Sequence, residues 1–131
     1  MIRTLGAISG CLFLLGGILG FVPGITDGDM FLGIFMVNTA HSIMHIVSGA
    51  VFLIASIAGA GAARLWFQAF GILYAALAAM GFKVGDGMIF NLISNNRNDS
   101  WGHAGLALIL LLIGFLVARP LPRSSKQASQ G

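Results

Sequence analysis

The sequence predicts an all-α membrane protein, a four-transmembrane-helix bundle built of two repeated helical hairpins. Three observations carry this. Hydrophobic residues make up 57% of the 131 positions and charged ones only 8%, against about 25% charged in a soluble domain. In water such a chain would expose large apolar areas, so its solvent is lipid. Four apolar stretches, at about 4–22, 38–59, 65–82 and 101–118, each approach the length that carries a helix across the hydrocarbon, which is ~20 residues for ~30 Å. Finally, the second half of the chain echoes the first.

The runs are long and do not alternate, which argues against strands, and a membrane barrel needs at least about 8 of them. Within lipid only a helix satisfies every backbone group inside one segment. The first span closes at Pro23-Gly24 and the fourth at Arg119-Pro120, where a helix cannot continue. Between the second and third spans only Gly59-Ala60-Gly61 intervene, predicting a tight antiparallel pair. Trp66 and Trp101 stand at span ends, where indoles favour the headgroups. The stretches 30–37 and 88–95 are apolar but short, and read as half-turns or interfacial helices on the outer surface.

Residues 1–118 therefore form one membrane domain. Residues 119–131, rich in Ser, Gln and basic side chains, read as a disordered cytoplasmic tail. Ile8-Ser9-Gly10-Cys11 resembles a lipoprotein cleavage box. The apolar stretch before Cys11 is too short for a signal-peptide core, so the first span is expected to stay uncleaved.

Charge sets the orientation. One side holds Arg3, Arg64, Arg119, Arg123 and Lys126 with no acid; the other holds Lys83 and Arg97 with Asp27, Asp29, Asp86 and Asp99. Positive charge stays inside, which places both termini on the cytoplasmic side. The pI of about 9.8 follows from that asymmetry and gives no support to a nucleic-acid partner. Cys11 is the single cysteine, which rules out an internal disulfide and a cysteine metal site. Phosphate-loop, catalytic-triad and zinc-protease motifs are missing from the sequence. The expected partners are the lipid bilayer and, through small-residue stripes, a second copy or a membrane-complex subunit.

The repeat is most definite around the histidines. Asn38, Ser42 and His45 match Asn96, Ser100 and His103 at an offset of 58. Gly28-Asp29-Met30-Phe31 and Asp86-Gly87-Met88-Ile89 sit at the same offset, and Gly20-Phe21 matches Gly81-Phe82 with a loop three residues different. Two like-oriented hairpins imply a pseudo-two-fold axis along the membrane normal. Asn38, Ser42, His45, Gly49, Phe52 and Ser56 form one helical stripe, and Asn96, Ser100, His103, Ala107, Leu110 and Gly114 another. Polar groups avoid lipid, so both stripes are expected to face inward. Gly6, Gly10, Phe13, Gly17 and Gly20 give the first span its inner face, and Gly71, Ala75, Ala78 and Phe82 the third. These small residues permit close helix packing. Tyr74, midway along the third span, needs a hydrogen-bond partner, and either packs or reaches the polar cluster.

All three histidines lie in the outer parts of the second and fourth spans. His41 and His45 are four apart and share a face. Asp99 repeats His41, and His103 repeats His45. If the stripes face each other, His41, His45, Asp99 and His103 form a set suited to Zn(II), Cu(II) or Fe(II). His45 and His103 alone suit the axial positions of a haem, and a quinone is a further ligand for such a pocket. The plainer alternative is a set of interhelical hydrogen bonds that fix register. The sequence leaves these open.

The order of features resembles a bacterial four-helix integral membrane family, domain of unknown function 4383. The resemblance rests on Leu19-Gly20-Phe21-Val22-Pro23-Gly24, then Phe35-Met36-Val37-Asn38 with His41, His45 and Gly49, then Gly71, Tyr74, Gly81, Asn95-Asn96, Asp99 and His103. It spans about residues 4–118 and implies four spans and an inner-membrane location, with no activity to carry over. One departure is Trp101-Gly102 ahead of His103, where the resemblance leads one to expect a leucine beside the histidine. The expected function is that of a structural or accessory membrane protein without enzymatic activity. The alternative is a haem- or metal-binding redox protein using His45 and His103.

Overall fold

A computed structural model describes residues 1–117; the expected tail at 119–131 lies outside them. The first hairpin consists of helices α1 (Ile2–Leu19) and α2 (Thr39–Ala58), and the second of α3 (Ala60–Val84) and α4 (Arg97–Leu116). All four are long and apolar enough to cross a membrane.

The connecting loops at one end differ from expectation. They are β-ribbons, not half-turns or surface helices. In the first half β1 (Thr26–Asp27), β2 (Met30–Phe31) and β3 (Phe35–Met36) pair antiparallel in that order; in the second, β4 (Gly87–Ile89) pairs with β5 (Ile93–Asn95). The reason lies in two tight turns. Leu32 and Gly33 have φ of 54° and 67°, and Phe90 and Asn91 both 54°. A right-handed helix cannot hold positive φ, whereas a hairpin turn with two such residues matches the twist of its strands. The turns recur at the 58-residue offset. The first loop's three extra residues accompany its additional strand, β1.

Helix ends are set by local hydrogen bonds. Past Leu19 the chain tightens, with Phe21 and Val22 N–H groups donating to the Ile18 and Leu19 carbonyls. Pro23 then offers no donor, and the Thr26 hydroxyl caps the Leu19 carbonyl at 2.9 Å. Hence α1 stops at Leu19, short of the expected 22. Asn38 and Asn96, expected on the inner stripes, are half-buried N-caps of α2 and α4. Asn96 forms a reciprocal capping box with Asp99.

Reciprocal bonds across the loops tie the halves together. The Asn38 side-chain amide donates to the Leu92 carbonyl at 2.8 Å, and that of Asn96 to the Ile34 carbonyl at 2.9 Å. Donor and acceptor are both shifted by 58. At the opposite end Arg3 donates to the Ser56 carbonyl and Arg64 to those of Gly114 and Val117. Each arginine thus covers unpaired carbonyls at the end of its hairpin's second helix.

Packing follows the inner stripes in α1, α2 and α4. Gly6, Gly10, Phe13 and Gly17 are buried, as are Ser42, Gly49, Phe52 and Ser56, and Ser100, His103, Ala107, Leu110 and Gly114. The third stripe needs correction: Ala75 and Phe82 face outward. The buried face of α3 is Ala63, Phe67, Phe70, Gly71, Tyr74, Leu77, Ala78 and Gly81, because the large aromatics fill the centre and small Ala75 is left for lipid. Phe82 packs against Trp101 outside, while Trp66, expected at a span end, packs on Phe70 beside the core.

The closest helix pairs are α1 with α2 and α3 with α4. A Cβ on Gly49 would lie 2.6 Å from the Gly10 carbonyl oxygen, so only glycine lets α1 and α2 approach this closely. Although α2 and α3 are joined by one residue, Gly59, they are not the tight pair that the short link predicts. Phe52 of α2 packs edge-on against Phe67 and tilted against Phe70, with ring centroids at 5.0 and 5.5 Å, and these large rings hold the two helices apart. The pair α1 and α4 packs less closely than α2 and α3.

Candidate metal centre

His45 and His103 are each the seventh residue of their helices. A rise of 1.5 Å per residue sets both about 9 Å in from the ribbon end. The two hairpins bring them together, with ring centroids 6.2 Å apart. His41 completes the group at 5.2 Å from His45 and 5.4 Å from His103. One ligand nitrogen from each of the three lies within 4.8 Å of the others.

Each ring is held from behind. His41 Nδ1 lies 3.1 Å from both the Met36 and Ser94 carbonyl oxygens. Carbonyls only accept, so Nδ1 carries the proton and Nε2 keeps a free lone pair. Met36 and Ser94 are themselves repeat mates on β3 and β5. Phe13 packs on His45 and Tyr74 on His103, both at 5.4 Å. The Tyr74 hydroxyl meets Ser48 Oγ at 3.3 Å, so Tyr74 reaches the cluster with its ring, in T-shaped contact with His45 and His103, and anchors its polar end elsewhere.

Among the described residues four buried polar atoms have no hydrogen-bond partner: Trp66 Nε1, Ser94 Oγ and, within the cluster, the imidazole nitrogens His45 Nε2 and His103 Nδ1. Leaving such groups unpaired costs about 1–3 kcal/mol each. The reading of the histidines as hydrogen-bonded ties between helices therefore accounts for His41 and leaves those two nitrogens unexplained.

Asp99 lies at the edge of the group. Its Oδ2 accepts from the Asn96 and Met36 backbone N–H groups at 2.8 and 3.0 Å. The carboxylate thus closes the capping box and clamps β3 to α4, and it is not among the three clustered ligands. Of the polar positions, Ser100 is fully buried against Asn95. Ser42 is buried at the α1 crossing, with its Oγ where a Gly20 Cβ would stand. Asn38 and Asn96 remain caps. Sequence reasoning put Phe13 on the inner face of α1 but did not set it against the histidines; its counterpart Tyr74 lies 61 residues on. That offset also relates Gly20 to Gly81 and was the available signal.

A cavity of about 280 Å³ lies against the three histidines, Asp99, Gly16 and the Phe31 and Phe35 rings. Gly102, the departure noted ahead of His103, also lines it.

The fold and site define a class: a four-helix integral membrane bundle with a tris-histidine cluster between its two hairpins, His41 and His103 buried and His45 half-buried. The family described as Domain of unknown function (DUF4383) matches residues 3–116, and the chain belongs to that family. No curated protein matches the chain. No solved structure matches it either.

Proposed function

We propose that this is an accessory, non-enzymatic protein of the bacterial cytoplasmic membrane that binds one transition-metal ion through His41, His45 and His103. The observation that carries the reading is the convergence of three imidazoles, two of them with buried, unpartnered nitrogens. Imidazole nitrogen suits zinc, copper, iron and nickel. A tetrahedral ion with metal–nitrogen bonds of about 2.0–2.1 Å holds its ligands about 3.3 Å apart. Small ring rotations bring nitrogens that lie within 4.8 Å to that spacing. The Met36 and Ser94 carbonyls behind His41 are the outer support that metal-bound histidines usually have. Three protein ligands leave a fourth position open toward the cavity.

The same geometry weighs against haem as the ligand of His45 and His103. Two axial histidines need a clear plane between them, and here His41 and Tyr74 pack within 6.1 Å of both rings. The membrane side follows from charge: Arg3 and Arg64 share one end of the bundle, which the positive-inside rule places in the cytoplasm with both termini.

Metal content of the purified protein tests the reading. Near-stoichiometric zinc or copper is expected. Occupancy at limiting metal should fall at least about tenfold in His45→Ala and in His103→Ala. A wild-type protein that retains no zinc, copper or cobalt(II) after loading overturns it.

A further inference from the structure

We propose that the open side of the bundle is a lateral entry from the bilayer, and that it admits a lipid-soluble benzoquinol-type molecule whose ring oxygen reaches the histidine cluster. A second cavity, of about 300 Å³, runs between α1 and α4 from Leu12 and Phe13 to Ile109. It shares Gly16, His45 and Leu106 with the cavity against the cluster. The two adjoin along the loosely packed seam between α1 and α4.

The chemistry of the lining names the occupant. The walls are almost wholly apolar, and Leu12 and Ile109 at the lip are more than half exposed on the lipid-facing surface. On the ribbon side the lining is apolar: Phe31 and Phe35 of the strands, and Val37 just after β3. A water-soluble ligand therefore has the poorer route. At the inner end stands His103, 3% exposed, with its unpartnered Nδ1. An apolar cavity of about 150 Å³ takes a benzene ring, so about 280 Å³ suits one substituted ring lying against two phenylalanines. A bare hydrocarbon chain would fill the cleft and leave the fourth position on the ion without a ligand. A ring bearing oxygens satisfies both ends, with a tail that trails out between α1 and α4.

Gly16 is what keeps the cleft open. A Cβ there would meet only His45 Nδ1, at 3.8 Å, which is ordinary contact. A larger side chain therefore projects into the cleft without disturbing a helix seam. The inference deepens the metal reading, since the ring oxygen takes the fourth position on the ion, and it is tested so that the two can fail separately.

The experiment uses the full chain in lipid nanodiscs, loaded with cobalt(II) and titrated with decyl-benzoquinol. Cobalt content reports the metal reading. The cobalt visible bands and equilibrium dialysis of radiolabelled decyl-benzoquinol report the cleft. Saturable binding that shifts the bands is expected in the wild type. Affinity should be at least tenfold weaker in Gly16→Phe, with Gly16→Val intermediate and cobalt retained in both. Cobalt-loaded wild type that binds no quinol, or Gly16→Phe that binds it as tightly as wild type, overturns the inference and leaves the metal reading standing. Protein that retains no cobalt overturns the metal reading and with it the fourth-ligand role. Labelled quinol that still binds and is still displaced by Gly16→Phe then supports the entry cleft alone.

Discussion

The two hairpins use one plan and spend it differently. In the first, Phe13 packs on His45; in the second, Tyr74 packs on His103, at the same 5.4 Å. Their caps, arginines and positive-φ turns correspond pair by pair. They diverge at position 41 against 99. His41 donates to carbonyls of β3 and β5 and turns its other nitrogen to the cluster. Asp99 accepts from backbone N–H groups of β3 and the α4 cap. The ribbons present both kinds of backbone group here, and one histidine and one carboxylate answer both. Two copies of either residue would leave one kind unanswered. The difference teaches that the asymmetry of the cluster is imposed by the backbone around it.

A second divergence gives the largest expected effect. Gly49 is matched by Ala107, so at this position the first seam sets glycine against the Gly10 carbonyl, whereas the second seam makes its closest approaches elsewhere, at Gly71 against Leu111 and Gly114 against Gln68. Gly49→Leu drives its side chain into the Gly10 carbonyl and the Leu14 N–H, neither of which can yield. A loss of about 3 kcal/mol or more is expected, seen as a missing monodisperse peak in size-exclusion chromatography. Ala107→Gly should cost only about 1 kcal/mol. Equal losses would mean that the seams are built alike.

Replacing each member of the divergent pair by alanine separates their roles. Asp99→Ala removes two charge-assisted bonds and should cost about 2–3 kcal/mol in thermal unfolding while metal stays bound. His41→Ala should lower metal occupancy by about tenfold or more with a smaller stability loss. Metal loss in Asp99→Ala without destabilisation would return the carboxylate to the ligand set.

The smallest effect belongs to the symmetric caps. Asn38→Ala and Asn96→Ala each remove a cap and a bond across the loops, for about 1 kcal/mol apiece. The second loss should be slightly larger, because Asn96 also serves the capping box. A clear ranking the other way in a denaturant titration would show that the loops contribute unequally.

Much of this was legible because small and polar side chains are conspicuous in an apolar helix. The Gly6-Gly10-Phe13-Gly17 face of α1 and the Ser42-to-Ser56 face of α2 could be read directly. The α3 face could not: Ala75 is small whether it faces a neighbour or lipid, and Phe67 and Phe70 are apolar either way. The ribbons were hidden because Leu32 and Phe90, which hold positive φ, are not residue types that announce it; Gly33 and Asn91 beside them were the faint signs. The meeting of His41, His45 and His103 was readable from the repeat. The role of Asp99 was not taken from it, although Asn96 followed three residues later by an acidic side chain is itself a helix-start pattern.

Gly59 has a consequence that reaches past its own geometry. With φ of 147° and ψ of 175°, it reverses the chain in a region open to glycine almost alone. Were residue 59 to turn helical, α2 and α3 would fuse into a rod of about 69 Å. That is more than twice the ~30 Å thickness of the hydrocarbon slab, so half of an oily rod would be thrust into water. The bilayer itself thus folds the joint shut, and a single residue suffices where a soluble protein would need a built turn.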